Sequence, residues 1–199
     1  MKKGGIEMVR ERKFTQDELY QATHNLILEV GYEKFSFMLL SKQLHISRAA
    51  LYKYYGNKDE LVQEYLNDQM EQMVKNIESI EWSTDFKEKI SQLIDLIFKY
   101  ADTHAISNMI PTQNWTKENK NLPNVQRAKQ LHNIFFSFIQ KVIEEGQNQG
   151  YLLADIPSMF IIEQLFHSIT LPNRARLSAT ARANYIKEML FYGILQEPE

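Results

Sequence analysis

The sequence predicts an all-α protein of about nine helices. Apolar residues recur at helical spacing along nearly every segment, whereas no segment alternates apolar and polar residues as a half-buried strand would. Helix-cap sequences and glycine-containing breaks separate these periodic segments. The chain has 199 residues, of which 44% are hydrophobic and 24% charged, so it is long enough and apolar enough to bury a core.

Composition excludes several classes of protein. The chain has no cysteine, which rules out a disulfide scaffold, a thiolate nucleophile and any cysteine-based metal site. No segment has the length of apolar sequence that a membrane-spanning helix needs, and the first residues lack the apolar core of a signal peptide. We therefore expect a cytoplasmic protein that needs no cofactor.

The first three predicted helices are short and closely spaced. Residues 15–18 form a capping box, with a hydroxyl at the cap and a carboxylate three residues later, and the helix that follows ends at Gly31. A second helix is predicted over residues 36–44. The third begins at Ser47 and ends before Gly56.

The remaining helices are longer. The fourth begins at the cap residue Asn57 and is followed by a polar break over residues 82–85. A polar, asparagine-rich stretch from Pro111 to Pro123 predicts a loop. The other predicted helices begin at or near Phe86, Asp102, Ala128, Pro157 and Ser178, and the last of them extends to about Leu195.

The second and third helices are joined by the tight turn at residues 44–47, which is typical of a helix-turn-helix. In that motif the second of the two helices enters the major groove of DNA. From Lys34 to Lys58 the chain carries five cations and no carboxylate, so nothing in this stretch repels phosphate. The third helix offers the hydrogen-bond donors Ser47, Arg48, Lys53 and Tyr54.

Two segments resemble the DNA-binding signature of TetR-type repressors. They are Gly-Tyr-Glu-Lys-Phe-Ser at residues 31–36 and the stretch at residues 40–61. The second stretch includes Leu-Tyr-Lys-Tyr-Tyr and Asn-Lys-Asp-Glu-Leu, which are its most specific parts. The resemblance implies a two-fold homodimer, a C-terminal effector pocket, and release of double-stranded DNA when a ligand binds.

The resemblance also assigns roles to individual residues. It implies that Ser36 faces phosphate at the start of the second helix, and that Arg48 and Ala49 read bases. It implies further that aromatic side chains contact the DNA backbone and that a lysine at the start of the fourth helix binds phosphate. The predicted DNA-binding set is Ser36, Ser47, Arg48, Ala49, Tyr52, Lys53, Tyr54 and Lys58. Tyr52 alternatively belongs to the core boundary, and Arg48 alternatively is only a solvated side chain.

The chain departs from the TetR pattern at several positions. His45 occupies a turn position where the family usually has glycine, so we expect a positive φ there, which histidine tolerates better than most residues. Met38 and Leu39 lie where polar residues are usual. The second helix is therefore expected to make fewer phosphate contacts, or to pack against something additional.

The predicted domain organisation has three parts. Residues 1–13 are a basic arm, which either reaches DNA or is a merely positive tail. Residues 14–60 are the helix-turn-helix domain, and residues 61–199 are a domain for ligand binding and dimerisation.

Methionine and aromatic residues of the C-terminal domain could line a ligand cavity, since these side chains adapt to irregular apolar guests. Two histidines that interrupt apolar faces could orient a polar group of the ligand. The predicted ligand-binding set is Met73, Ile77, Phe98, Met109, Trp115, His132, Phe135, Phe166 and His167. The alternative for each residue is an ordinary position in the core of a helical bundle.

The last two predicted helices carry more apolar surface than a monomer should expose. Two helices from each of two subunits would bury it in a four-helix interface, which Gly193 would allow to pack closely. The predicted interface is Met159, Ile162, Leu165, Ile169, Ile186, Met189, Leu190 and Gly193. The alternative is an internal face of the bundle.

The sequence therefore predicts a DNA-binding homodimer that regulates transcription, a repressor by resemblance, released from its operator by a small apolar molecule. The alternative is an interaction protein whose helix-turn-helix docks a protein partner or nonspecific DNA, with Met38 and Leu39 as apolar contacts. The five histidines do not form a metal-ligand pattern, and the sequence contains no nucleophile motif and no phosphate-binding glycine loop, so we expect no metal site and no enzyme activity.

Overall fold

A computed structural model of the chain describes residues 14–111 and 123–193. The helices in these ranges are α1 (Gln16–Val30), α2 (Phe37–Gln43), α3 (Arg48–Tyr52), α4 (Lys58–Ser79), α5 (Phe86–Lys99), α6 (Ala101–Met109), α7 (Pro123–Asn148), α8 (Ser158–Thr170) and α9 (Ala179–Gly193). The described ranges contain no strand, so the predicted all-α fold is confirmed. None of the described helices has both the length and the apolar character required to cross a lipid bilayer.

The predicted helix starts are confirmed at several caps. Thr15 and Glu18 form the reciprocal capping box of α1. At the start of α4 the backbone N–H of Glu60 donates to Asn57 Oδ1 at 2.8 Å, and at the start of α9 the N–H of Ala181 donates to Ser178 Oγ at 3.1 Å. Each cap satisfies an N–H that has no partner within the helix.

Other expected boundaries were wrong. The sixth helix begins at Ala101 and not at a cap formed by Asp102, because the chain turns from α5 into α6 at the single residue Tyr100. The third helix ends before Gly56 as predicted, but it ends already at Tyr52 and is only five residues long, so Tyr54 lies beyond it. The basic arm, the loop after Pro111 and the expected end at Leu195 fall wholly or largely outside the described residues.

The chain divides into two compact units between Val62 and Gln63. In the N-terminal unit α1 packs on α2, and α2 packs on α3. Gly31 ends α1, as predicted, with φ 80° and ψ 156°, a positive-φ conformation that glycine adopts readily. His45 has φ 53°, which confirms the positive φ expected at this turn. The core contains the fully buried side chains Leu19, Ile27, Phe35, Leu40, Leu51 and Leu61.

In the C-terminal unit α5 is the central helix and packs against α6, α7, α8 and α9. One end of this core is very tightly packed. The ring of Phe86 stacks on Tyr151 with centroids 5.1 Å apart, and a Cβ built on Gly146 would come within 2.1 Å of Phe86 Cζ. Only glycine fits at this position of α7, since any other side chain would overlap the buried ring.

Two polar contacts attach α9 to the rest of the C-terminal unit. Lys187 Nζ lies 2.6 Å from Asp95 Oδ1 of α5. The guanidinium of Arg182 donates to the carbonyls of Ser168 and Leu171, each at 3.0 Å, at the end of α8. Arg182 thereby satisfies carbonyl groups that a helix end leaves without partners.

Candidate DNA-binding surface and ligand cavity

The structure places α3 at the surface of the N-terminal unit. Leu51 anchors the helix in the core, while Ser47, Arg48, Ala49, Tyr52 and Lys53 are exposed. Every residue of the predicted DNA-binding set that lies on or beside α3, including Tyr54, is therefore accessible to a partner.

The polar groups of α3 are available for binding. The hydroxyl of Ser47 makes no capping hydrogen bond, although its backbone is in the N-cap position. Among the described residues neither Arg48 nor Lys53 makes an ion pair. A guanidinium that no carboxylate neutralises can form two hydrogen bonds with a guanine edge, and a free ammonium can bind phosphate.

Aromatic packing fixes the position of the two exposed tyrosines. Tyr52 is 58% exposed, and its ring meets Phe37 of α2 edge-on at 5.0 Å. Tyr54 meets Phe14 edge-on at 5.8 Å. Each ring therefore packs on the N-terminal unit with part of its surface and exposes the rest. The core-boundary alternative for Tyr52 explains only the packed part.

Two further residues of the predicted set have local structural roles. Ser36 caps α2, and the N–H of Leu39 points to its Oγ at 3.4 Å. Lys58 Nζ donates to the carbonyls of Tyr32 at 2.9 Å and Glu33 at 3.3 Å, and lies 4.4 Å from the centroid of the Tyr32 ring. Lys58 thus joins the start of α4 to the turn before α2, which leaves one of its three N–H groups for phosphate.

Beside Lys58, the phenol of Tyr32 donates to Asp59 Oδ1. Lys58 and Asp59 therefore hold the same residue from two sides. No local pattern in the sequence predicts these contacts, because Tyr32 is 26 residues from Lys58 and 27 residues from Asp59 along the chain.

The C-terminal unit contains a cavity of about 940 Å³ bounded by α4, α6, α7 and α8. This volume is at the upper end of small-molecule sites. Five residues of the predicted ligand-binding set line it: Met73, His132, Phe135, Phe166 and His167. The predicted set therefore includes part of a real cavity wall, contributed by three different helices.

The other predicted lining residues lie elsewhere. Ile77 and Phe98 are buried in the core outside the cavity wall, where Ile77 is 7% and Phe98 4% exposed. Met109 is on α6 but is 41% exposed and does not line the cavity. These three expectations were wrong, because apolar character alone does not distinguish a packed position from a hollow one. Trp115 lies outside the described residues.

Sequence reasoning missed most of the polar cavity wall. Each helix contributes residues at spacings of three and four, so that each set lies on one helical face. The missed residues include Gln63, Leu66, Asn67, Met70, Thr103, His104, Ser107, Asn108, Lys129, Phe136 and Glu163. The sequence did contain a signal for these residues. Polar residues share a helical face with apolar ones, which is unusual for a helix that packs in a solid core.

A polar seam joins α4 to α7 beside the cavity. The side chain of Asn67, which is 2% exposed, donates to the carbonyl of Asn124 at 2.9 Å. The side chain of Asn124 in turn donates to Glu64 at 3.3 Å, and Arg127 pairs with Glu71 at 2.5 Å. These contacts hold the two helices together where the cavity removes apolar packing.

Two histidines of the cavity wall, His104 and His132, are biased toward their neutral forms. Burial lowers the pKa of His104, and the nearby His132 lowers it further. Burial also lowers the pKa of His132. Next to the cavity, burial raises the pKa of Tyr65 to about 12, so this phenol is uncharged. Within the described residues, no group of three or more histidines and carboxylates is placed to hold a metal ion.

The predicted dimer residues fall into two classes. Ile162, Leu165 and Ile169 point into the core of their own subunit and are at most 6% exposed, so their assignment to an intersubunit surface was wrong. The three residues are spaced by three and four positions, so they share the inward face of α8. Ile162 on this face also lines the cavity.

The outward faces of α8 and α9 are apolar as well. Met159 is 47% and Met189 70% exposed, Gly193 is exposed, and Ile186 and Leu190 are partly buried against the core. The sequence prediction omitted the most exposed aromatic residues of these helices, which are Phe160, Tyr185 and Tyr192.

Comparison with known proteins agrees with this architecture. Residues 19–65 match the family model described as bacterial regulatory proteins, tetR family. The matched range covers α1, α2, α3 and the start of α4, which is the part of the chain that exposes the basic third helix. These residues therefore resemble the DNA-binding domain of TetR-family proteins.

Relatives match over both units of the chain. The fatty acid metabolism regulator protein of Bacillus subtilis (strain 168) is 22% identical over 185 residues, which are 89% of this chain and 94% of the relative. The structure is similar to FadR from Bacillus subtilis in complex with stearoyl-CoA, with TM-score 0.67 at 19% identity, covering 90% of this chain and 100% of that chain. It is also similar to the ketosteroid regulator KstR2 of Mycobacterium tuberculosis, with TM-score 0.69 at 16% identity, covering 96% and 98%.

Proposed function

We propose that this protein is a homodimeric repressor of the TetR type that binds an operator through α3 and leaves it when a small apolar molecule occupies the C-terminal cavity. Residues 14–60 would form the DNA-binding domain and residues 61–199 the domain for ligand binding and dimerisation. The observation that carries the proposal is the exposed, unpaired Arg48 on a helix-turn-helix of the TetR type.

In the proposed complex, Arg48 and Ala49 contact base edges, while Ser36, Ser47 and Lys53 contact phosphates and position α3 in the groove. Tyr52 and Tyr54 add backbone contacts from the rim of α3, and Lys58 uses its remaining N–H group. Each subunit of the dimer would occupy one half-site, with centres roughly 34 Å apart.

The proposed dimer interface is the outward face of α8 and α9. Among the described residues these two helices carry the largest group of exposed apolar side chains, and a stable monomer rarely exposes such a patch. The residues proposed to form the interface are Met159, Phe160, Tyr185, Met189, Tyr192 and Gly193. Sedimentation of Met189→Glu should show monomers where the parent chain shows dimers.

An apolar effector is supported by the cavity wall and by the relatives. Met70, Met73, Phe135, Phe136 and Phe166 present flexible or aromatic surface to a space large enough for a drug-sized molecule. One structural relative was solved with stearoyl-CoA, and another is a ketosteroid regulator. A ligand that binds better to the conformation without DNA would shift the population away from the operator complex.

The DNA-binding step is tested by gel shift and footprinting on DNA that flanks the encoding gene. Arg48→Ala should weaken specific binding about 10- to 100-fold, as expected for loss of a bidentate base contact, and leave nonspecific binding nearly unchanged. Lys141→Ala, which removes an exposed cation of α7, is the matched control and should bind like the parent chain.

Equal loss of specific and nonspecific binding on Arg48→Ala would make Arg48 a phosphate contact. Absence of any protected DNA would favour the interaction-protein alternative, which the 50% exposure of Met38 on α2 supports. The release step is tested by adding stearoyl-CoA or a simple long-chain amphiphile to the preformed complex.

A further inference from the structure

Two histidines mark one region of the cavity wall, and they come from different helices. His104 of α6 packs on Phe166 with ring centroids 5.5 Å apart, and His132 of α7 packs on Phe136 at 4.3 Å. Phe136 and Phe166 stack on each other at 5.3 Å. The four rings therefore make successive contacts in the order His104, Phe166, Phe136 and His132, and the two imidazoles are near enough for His132 to lower the pKa of His104.

Neither imidazole has a hydrogen-bond partner in the described part of the chain, and neither lies within ion-pair distance of a described carboxylate. Their ring nitrogens are not sealed in the core, since the one fully buried orphan polar atom of the described residues is Thr23 Oγ1. His104 is half-buried and His132 is exposed, so water can be their partner until a ligand displaces it. The cavity is where such a partner of His104 and His132 would lie.

The charged residues of the lining balance, so they do not exclude a negative partner of the histidines. The lining contributes one cation, Lys129 of α7, one anion, Glu163 of α8, and the further titratable residue His167. The polar lining residues of α4 are uncharged amides. On α6 the carboxylate of Asp102 is exposed, and the neighbouring phenol of Tyr65 is neutral because burial raises its pKa.

The four aromatic rings are themselves a poor site for a cation. A cation binds to the negative face of an aromatic ring, whereas the ring edge is positive. Phe136 and Phe166 cover a face of each other, and their other near neighbours are the imidazoles and the edge-on ring of Phe135. Much of the ring face is thus already occupied, which leaves edges for the ligand.

We propose that His104 and His132 bind the carboxylate head group of an amphiphilic acid whose apolar chain lies against Met70, Met73 and Phe135. This inference rests on the proposed function only in taking the cavity to be the effector site. It assigns the head-group specificity to an imidazole pair and not to Lys129.

Binding of such an acid is coupled to proton uptake. Burial keeps the empty pair neutral by lowering the pKa of both histidines, and their proximity further disfavours a second charge. A carboxylate beside them stabilises the imidazolium form, so an imidazole takes a proton from solvent as the acid binds. The affinity for the acid therefore falls as pH rises, whereas the affinity for an uncharged ligand does not.

The test compares dodecanoic acid, dodecan-1-ol and dodecylamine by isothermal titration calorimetry with the full chain. At about pH 6 the acid should bind about 10-fold more tightly than the alcohol, since a charge-assisted hydrogen bond is stronger than a neutral one, and the amine should bind most weakly. Titrations in two buffers of different ionisation enthalpy should show net proton uptake for the acid and none for the alcohol.

The variant His104→Gln/His132→Gln should remove both the preference for the acid and the proton uptake, and should still bind the alcohol. His24→Gln, on α1 of the N-terminal unit, is the matched control and should behave like the parent chain. Lys129→Gln separates the imidazole pair from the lysine, because loss of the preference in that variant alone would overturn the assignment to the histidines.

Equal affinity for acid and alcohol, tightest binding of the amine, or a preference that survives in the double variant would also overturn the inference. In any of these cases the cavity could still be the effector site. If the acid binds as described but neither it nor stearoyl-CoA releases DNA, the head-group assignment stands and the proposed release mechanism fails. If no member of the series binds, both fail.

Discussion

The two ends of α7 differ in how completely the protein fills the space beside them. Toward its C-terminal end, Ile139, Val142 and Ile143 are fully packed, and Gly146 lies against Phe86 with no room for a methyl group. Toward its N-terminal end, Ala128, His132 and Phe136 border a cavity of about 940 Å³. Tight packing and open space thus lie beside opposite halves of one helix.

The difference shows how this protein can contain a large cavity and remain folded. The packed half contributes the apolar burial and dispersion energy of a protein interior. The hollow half is held by the seam of Asn67, Asn124, Arg127 and Glu71, whose contacts do not require the cavity to be filled. Substitutions of similar size at the two ends should therefore have different costs.

The largest effect is expected from Gly146→Ala. Its Cβ would lie 2.1 Å from a buried ring atom that stacks on Tyr151, so Phe86 would have to move, and we expect the free energy of unfolding to fall by about 3 kcal/mol. Urea unfolding measures this as a lower midpoint at constant slope. Ser137→Ala, at an exposed position of the same helix, is the control and should be nearly neutral.

An intermediate effect on binding, with little effect on stability, is expected from Ala128→Leu at the hollow end. The added atoms enter the cavity and do not displace a neighbour, so the free energy of unfolding should change by less than about 1 kcal/mol. Binding of dodecan-1-ol, measured by calorimetry, should weaken because the space is partly filled. A loss of stability as large as that of Gly146→Ala would show that the N-terminal half of α7 is packed as tightly as the other half.

The smallest effect is expected from pH. Because burial lowers the pKa of His104 and His132 in the folded state, the unfolded chain binds more protons below their ordinary pKa of about 6.5. Their contribution to stability is therefore complete above that pH and is lost as pH falls. Urea unfolding between about pH 5.5 and 7.5 should show this slope, and His104→Gln should reduce it. An unchanged slope in this variant would exclude His104 as a source.

Local sequence signals predicted the N-terminal unit well. The capping box at Thr15, the positive φ at His45 and the cap at Asn57 each depend on neighbouring residues, so each could be inferred before the chain was folded. The exposure of α3 also follows from its sequence, in which Leu51 is the one fully buried residue among polar and small ones.

The C-terminal unit could be predicted only in part, because its site depends on contacts between distant segments. Met73 and Phe135 line the cavity while Ile77 and Phe98 do not, although all four are apolar residues on predicted helices. No local signal separates them, since the separation depends on which helix each side chain faces. The same reason explains why Ile162 and Leu165 were assigned to an intersubunit surface and proved to be core.

The sequence by itself determined the all-α class, the helix boundaries that caps specify, and the TetR-type helix-turn-helix with its carboxylate-free basic stretch. All of these arise from residues within a few positions of one another. The tertiary structure decided where the core is solid and where it is hollow, and it brought His104 and His132 to the same wall. Those features depend on how four helices pack, and helix packing is a property of pairs of distant surfaces that no single segment encodes.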